Sequence, residues 1–316
     1  MINNPLEPGY LTLLAAGALA SRVEAAKALL ADCRLCARVC GVDRFHATRG
    51  AVCQTGVVPV VASYNAHFGE EDPLRGRGGS GTIFFSHCNL RCVFCQNWEL
   101  SWQGEGAPMP PERLAKVMLL LQSRGCHNIN LVSPTHVLPA ILEAVWLAAR
   151  EGLRLPLVYN TGGYDSLESL ALLDGVVDIY MPDMKYGDPH LARRFSRVRD
   201  YPRINQIAVR EMHRQVGDLT LDDRGVATRG LLVRHLVLPG GVAGSREVLD
   251  FLAREISLDT YLNIMDQYRP LFRAGRFPPL DRGEVSGEYR QALAYAGALG
   301  FTRLDQPKTG WGLFSR

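Results

Sequence analysis

Residues 81–97 read GTIFFSHCNLRCVFCQN, an apolar, β-branched and aromatic run that ends in three cysteines spaced C-x3-C-x2-C. The run predicts a buried strand, and thiols just beyond its carboxyl end stand where α/β folds gather their ligands. The chain then repeats the scheme. Apolar runs at NINLVS (128–133), LPLVYN (155–160), VDIYMP (177–182), LLVRHLVL (231–238) and TYLNIMDQ (260–267) alternate with helical stretches. These are PPERLAKVMLLLQSR (110–124), VLPAILEAVWLAAREG (137–152), DSLESLALLD (165–174), a pair between 188 and 215, and SREVLDFLAREI (245–256). Such alternation predicts consecutive β-α units around a parallel sheet, and six units fit a partial barrel as well as an open sheet.

Either arrangement brings the strand ends to one rim. Polar residues follow each predicted strand: His87 and Cys88, Ser133 to His136, Asn160 to Gly163, Asp183 to Lys185, Pro239 to Gly241, and Gln267 with Tyr268. Any one of them alone reads as a turn or a helix cap. Six in register predict a site.

With 316 residues, 47% hydrophobic and 21% charged, the chain has material for one large domain and a small appendage. Acids and bases are interleaved around a net charge of +3, which argues against a nucleic-acid or membrane surface. YLTLLAAGALA (10–20) has the apolarity of a signal peptide. However, Glu7 and no Lys or Arg precedes it, and the pattern runs on through SRVEAAKALLA, which predicts one amphipathic helix of a soluble protein. No run reaches the ~18 apolar residues of a membrane span. Cys33, Cys36, Cys40 and Cys53 form one set, Cys88, Cys92 and Cys95 another, and Cys126 stands alone. Clustered cysteines without a secretion signal predict metal sites in a reducing, cytoplasmic compartment rather than disulfides. Up to residue 76 the expectation is a helix, a cysteine knuckle and a short strand VVPVVASY (57–64). GRGGSG (76–81) spells G-x-G-x-x-G but precedes a strand, so it is a linker rather than a dinucleotide loop.

Three thiolates on a four-iron cubane leave one iron open, which is what a catalytic cluster requires. Two other readings stand beside this one: zinc with His87 or Cys126 as fourth ligand, and a redox pair at Cys92 and Cys95. His87 shares its strand end with Cys88, an awkward geometry for joint chelation, and a redox pair needs no third cysteine. Cys126, in SRGCHN, falls at the other end of the barrel and reads as a small buried residue.

CNLRCVFC resembles the cluster loop of the radical S-adenosylmethionine superfamily, including the aromatic Phe94 before the last cysteine, and the continuation through Asn97 is similar to the glycyl-radical activating branch. The resemblance implies an α/β fold, a partial (β/α)6 TIM-type barrel with a small N-terminal cysteine-rich helical extension. It implies S-adenosylmethionine chelated to the open iron, and cleavage of that cosubstrate to methionine and a 5'-deoxyadenosyl radical. The radical would take hydrogen from a partner, possible donors being a glycyl-radical enzyme, a different peptide or a small molecule. The electron donor would be of the flavodoxin or ferredoxin type. YNTGGY resembles the third-strand motif of pyruvate formate-lyase activating enzymes, which nominates Asn160 and Thr161; Asn160 replaces an Asp, so a bound monovalent cation is not expected there. VDIYMPDMK is similar to an Asp-x-Lys motif in which Lys185 meets the methionine carboxylate and Asp183 orients it; a structural ion pair is the alternative. LLVRHLVLPGG nominates Arg234. The usual Gly-Gly-Glu on the second strand is replaced by SPTH, leaving Ser133 or Thr135 for the amino group, and Tyr268 stands where a histidine is usual.

Cys33, Cys36, Cys40 and Cys53 supply four ligands in a short segment, fit for structural zinc or a second 4Fe-4S cluster. The segment resembles the N-terminal extension of pyruvate formate-lyase activating enzyme-like proteins. The expected division is 1–76 for the helix and the four-cysteine metal-binding extension, 77–275 for the barrel, and 276–316 for a helical tail packed on it. The non-enzymatic alternative is a zinc-binding interaction module.

Overall fold

The computed structural model describes residues 7–305. Its first helices are α1 (Gly9–Ala15) and α2 (Ala18–Ala28), where the periodicity had predicted one. Gly17 lies between them with φ 71, a left-handed conformation that the missing Cβ permits and that ends the hydrogen-bond ladder. Then come β1 (Val60–His67), α3 (Asp72–Arg75), β2 (Ser80–Phe85), the two-residue β3 (Ala107–Pro108), α4 (Pro111–Ser123), β4 (Ile129–Val132), α5 (Leu138–Arg150), β5 (Leu157–Thr161), α6 (Leu167–Leu173) and β6 (Ile179–Pro182). The second half holds α7 (Pro189–Ser196), α8 (Tyr201–Val216), the two-residue β7 (Thr220–Leu221), β8 (Ala227–Leu236), α9 (Ser245–Phe251), which runs on as a π-helical turn over Leu252–Ile256, β9 (Tyr261–Met265) and α10 (Ser286–Leu299). Each of the six strands and five helical stretches expected from residue 81 onward is present, shifted by a few residues at its ends.

The sheet runs β3-β1-β2-β4-β5-β6-β8-β7, with β9 also on β8. β2, β4, β5, β6, β8 and β9 are parallel neighbours, as β-α units dictate, and the sheet does not close. β1, from the segment read as an appendage, pairs antiparallel with β2 and so joins the sheet. α1 and α2 pack on α5, on the outside of the sheet.

Alternation along the strands sorts residues onto two faces. Ile83, Leu131, Tyr159, Tyr180 and Leu231 stand in one register row and pack against the helices. Val158, Ile179, Met181 and Leu232 face inward and meet Leu74 of α3 in a second, smaller core. That core fills the lower barrel and leaves the space at the carboxyl ends of the strands free. Cys126 is buried at the opposite end, before β4, as expected. The tail expected over 276–316 contributes α10, which contacts α9 and β9; residues 306–316 lie outside the described residues. No helix among the described residues is long and apolar enough to cross a membrane.

Candidate functional site

Above the inner core lies a cavity of about 410 Å³. Cys88, Cys92 and Cys95 line it, and so do Phe94 and Asn97 of the same loop. Its other walls come from Ser133, Thr135, Asn160, Thr161, Asp183, Lys185 and Arg234, so nearly all the residues nominated from sequence converge. A larger groove of about 550 Å³ lies between α9 and α10; it takes Gly241 from the strand-end groups, and Pro239 to Gly241 do not line the cavity as their place after a strand had suggested.

The loop is fixed by its own side chains. Phe94 is buried edge-on against Tyr186 and Tyr268. Ser196 donates to the Cys92 sulfur at 2.9 Å, and the Leu90 N–H reaches the Cys88 sulfur at 3.3 Å. Burial pushes the Cys88 thiol up to about 12 and the Cys92 thiol up to about 11, with neighbouring sulfurs adding to the rise. A bound cation that displaces the protons is what makes such thiols into thiolates. Among the described residues, no group of three or more His, Cys, Asp or Glu stands ready to hold a metal ion. A cubane does not ask for such a set, because it spreads its thiolates over separate irons.

Beside the thiols, Thr135 and Thr161 both donate to the buried carboxylate of Asp165, at 2.7 and 2.8 Å, and Tyr159 donates to it at 3.1 Å. With their protons committed, the two threonine oxygens are left as acceptors at the cavity wall, 3.1 Å apart, and Thr161 Oγ1 also takes the Gly163 amide at 3.2 Å. Such oxygens suit an ammonium donor. Ser133 has φ 58 and its amide donates to the Asn160 carbonyl at 2.9 Å, which binds the ends of β4 and β5 together.

Lys185 reaches the Asp183 carboxylate at 2.6 Å. Burial works against the ammonium, but Asp183 and the Cys92 and Cys88 sulfurs outweigh it and hold its pKa above the usual lysine value. The turn that carries the pair is clamped by α8. Tyr201 donates between the carbonyls of Gly162 and Asp183, at 2.9 and 3.0 Å, and accepts from the Lys185 amide at 3.1 Å. One turn on, Asn205 reaches the carbonyls of Gly163 and Asp183, at 3.0 and 2.9 Å. Arg234 is less free than its motif implies: Glu71 lies 3.3 Å from its Nε and Glu70 lies 4.0 Å from its Nη1.

Tyr268 is not brought into the cavity. It is buried, and its hydroxyl donates to the Leu280 carbonyl at 2.5 Å. His67, Glu70 and Gln96 line the cavity without having been nominated. The first two arrive on β1 and the turn after it, and no pattern in their own segment links them to strands that begin later in the chain. Cys33, Cys36, Cys40 and Cys53 do come together, in a pocket of their own behind Asn89.

The family model of the radical SAM superfamily matches residues 82–216. An uncharacterized protein of Methanocaldococcus jannaschii is 30% identical over 289 residues, covering 87% of this chain and 77% of that one. Among solved structures, a radical SAM methyltransferase from Sphaerobacter thermophilus is similar with a TM-score of 0.47 and 16% identity, covering 70% of this chain and 64% of that one. TYW1 with a lysine-pyruvate adduct bound gives a TM-score of 0.42 and 12% identity over 69% of this chain and 72% of that one. The finer resemblance to pyruvate formate-lyase activating enzymes is not supported by the family model or the relative. By its matched domain, and with a relative 30% identical that it covers to 77%, the chain belongs to the radical SAM superfamily.

Proposed function

We propose that Cys88, Cys92 and Cys95 hold a 4Fe-4S cluster with one open iron, and that the adjoining cavity binds S-adenosylmethionine for hydrogen abstraction from a protein or peptide substrate. One observation carries the chemistry: the three thiols, the Asp183–Lys185 pair and the acceptor oxygens of Thr135 and Thr161 line one cavity. When bound, the cluster supplies one electron that cleaves the cosubstrate to methionine and a 5'-deoxyadenosyl radical. The chain's own residues receive the ligand's ends. Lys185 meets the carboxylate in a charge-assisted contact, Asp183 holds that ammonium in place, and the threonine oxygens accept from the amino group. Phe94 and Leu236 exclude water from the apolar part of the cavity.

A macromolecular substrate is supported by the rim. The segments that carry Gln96 and Gln267 meet where Trp98 stacks on Phe272, at 5.4 Å between ring centroids, beside the exposed Leu271. Glu70 favours a second reading, a hydrogen donor with a cationic group, because its buried carboxylate, which His67 meets at 3.1 Å, lines the same cavity.

The test is anaerobic protein with dithionite and S-adenosylmethionine. 5'-Deoxyadenosine is expected from the wild type and none from Cys92→Ala; a wild type that carries iron and makes none removes the proposal. Deuterium transfer into 5'-deoxyadenosine from labelled peptides or small cationic molecules separates the substrate classes. A glycyl-radical doublet in a partner would identify an activase.

A further inference from the structure

We propose that Cys33, Cys36, Cys40 and Cys53 hold a second 4Fe-4S cluster, placed to pass a single electron to the one on Cys88, Cys92 and Cys95. This rests on the radical SAM reading of the first site.

The four thiols line one pocket although Cys53 lies on a different turn of chain from the other three. Asn89 lines that pocket and the larger cavity as well, and it directly follows Cys88. Its side chain donates to the Tyr164 carbonyl at 2.9 Å, and its own carbonyl accepts from Arg38 at 2.8 Å. One fixed residue therefore borders both thiol sets.

The charges around the pocket point to an anionic occupant. Arg44 is 3% exposed, yet its guanidinium meets only the carbonyls of Thr55, His136 and Gly56, at 2.7, 2.7 and 2.8 Å, and the Cys33 sulfur at 3.8 Å. Arg38 lines the pocket with a buried Nη2 that has no hydrogen-bond partner. The contacts of both guanidinium groups are with carbonyls, a sulfur and the Tyr164 ring, and none is with a carboxylate among the described residues. A buried guanidinium such as that of Arg44 is costly without a counter-charge, and four metal-bound thiolates supply that charge.

Iron–sulfur rather than zinc follows from how the segment is held. Structural zinc folds segments that lack a core of their own. This segment is already secured. Ser166 and Ser169 donate to the Leu35 carbonyl at 3.3 and 2.7 Å, Cys36 forms a β-bridge with Asp165, and Leu30, Cys33 and Leu35 belong to the main core. The electron count closes: a low-potential one-electron carrier is oxidised by one electron, and the S-adenosylmethionine-binding cluster is reduced by one. No atom is transferred.

The test counts iron and zinc in anaerobically purified full-length protein, with Mössbauer and electron paramagnetic resonance spectra. The wild type should hold about eight irons. Cys88→Ala/Cys92→Ala/Cys95→Ala should keep about four, in a spectrum that does not respond to S-adenosylmethionine, and Cys36→Ala/Cys53→Ala should keep about four that do respond. Reduced wild type should show spin coupling that neither variant shows. Circular dichroism melts check that both variants fold, and either variant alone decides the iron count. Zinc on the four N-terminal cysteines, or no iron left in the triple variant, overturns the second cluster and leaves the first standing. Iron retained in the triple variant with no S-adenosylmethionine response in the wild type refutes the open-site reading instead.

Discussion

Lys185 is held by a short bond to Asp183 in a cavity that three sulfurs also line. A charge-assisted contact to a carboxylate contributes about 1.5–3 kcal/mol. Lys185→Met should therefore raise the S-adenosylmethionine concentration needed for half-maximal 5'-deoxyadenosine formation by about 10- to 100-fold. The iron content should stay the same, because the thiols are untouched. Lys185 was legible because it follows a strand end, where a polar residue between apolar runs stands out. Asp165, which takes the protons of Thr135 and Thr161, was not singled out. In sequence it opens a helical stretch, where an Asp reads as a cap. Only the pairing of β4 with β5 brings Thr135 to it. Tyr268 shows the reverse error: counting residues past a strand gives proximity, but the hydroxyl turned toward Leu280.

Among the elements, α8 has the largest effect on the site for its distance in sequence. Its amphipathic pattern announced a helix, while the roles of Tyr201 and Asn205 depend on how it docks. Four residues apart, they share one face and hold the turns after β5 and β6. Tyr201→Phe removes the bridge between two carbonyls and an amide, and it should cost about 1–3 kcal/mol in urea unfolding together with a weaker S-adenosylmethionine response. Gly163 lies beneath this clamp with φ 73, and a Cβ there would come within 2.1 Å of the Asn205 Nδ2 and 2.4 Å of the Asp183 carbonyl. Gly163→Ala should lower the melting temperature more than Tyr201→Phe, since it adds left-handed strain to a clash with backbone. Thermal unfolding of the two variants side by side checks the order. Gly17 is the corresponding lesson at the N-terminus: helical periodicity continued across it, and a single left-handed residue divided the helix.

For the molecule as a whole, Asp178 couples the N-terminal helices to the sheet. Its carboxylate accepts from the Gly9 amide and from the Leu157 amide, each at 3.0 Å. Burial raises its pKa from 3.8 to about 6, although both amides pull it down. The folded protein therefore binds a proton that the unfolded chain has released between about pH 4 and 6. This residue's contribution to stability falls as pH rises through that window, by about 2–3 kcal/mol in total. Urea unfolding at pH 4.5 and 6.5 should show that slope in the wild type and a shallower one in Asp178→Asn.

The parallel run of the strands was readable from their alternation with helices, whereas the pairing of β1 with β2 was not, because the intervening turn looked like a boundary. That pairing also settles how the sheet meets its surroundings. One end of the sheet finishes in β3, two residues long and half proline, and the other in the two-residue β7. The remaining side of β9 is occupied by the chain itself, since Leu262 exchanges backbone hydrogen bonds with Arg303 and Asp305 at 2.9 Å. Beyond Val61, however, β1 has no strand on its outer side among the described residues, so its backbone from Ala62 to His67 is an edge that an extended peptide can add to. A polypeptide that pairs along that edge arrives beside His67, which lines the cavity, so an extended segment is a form in which a target would present itself.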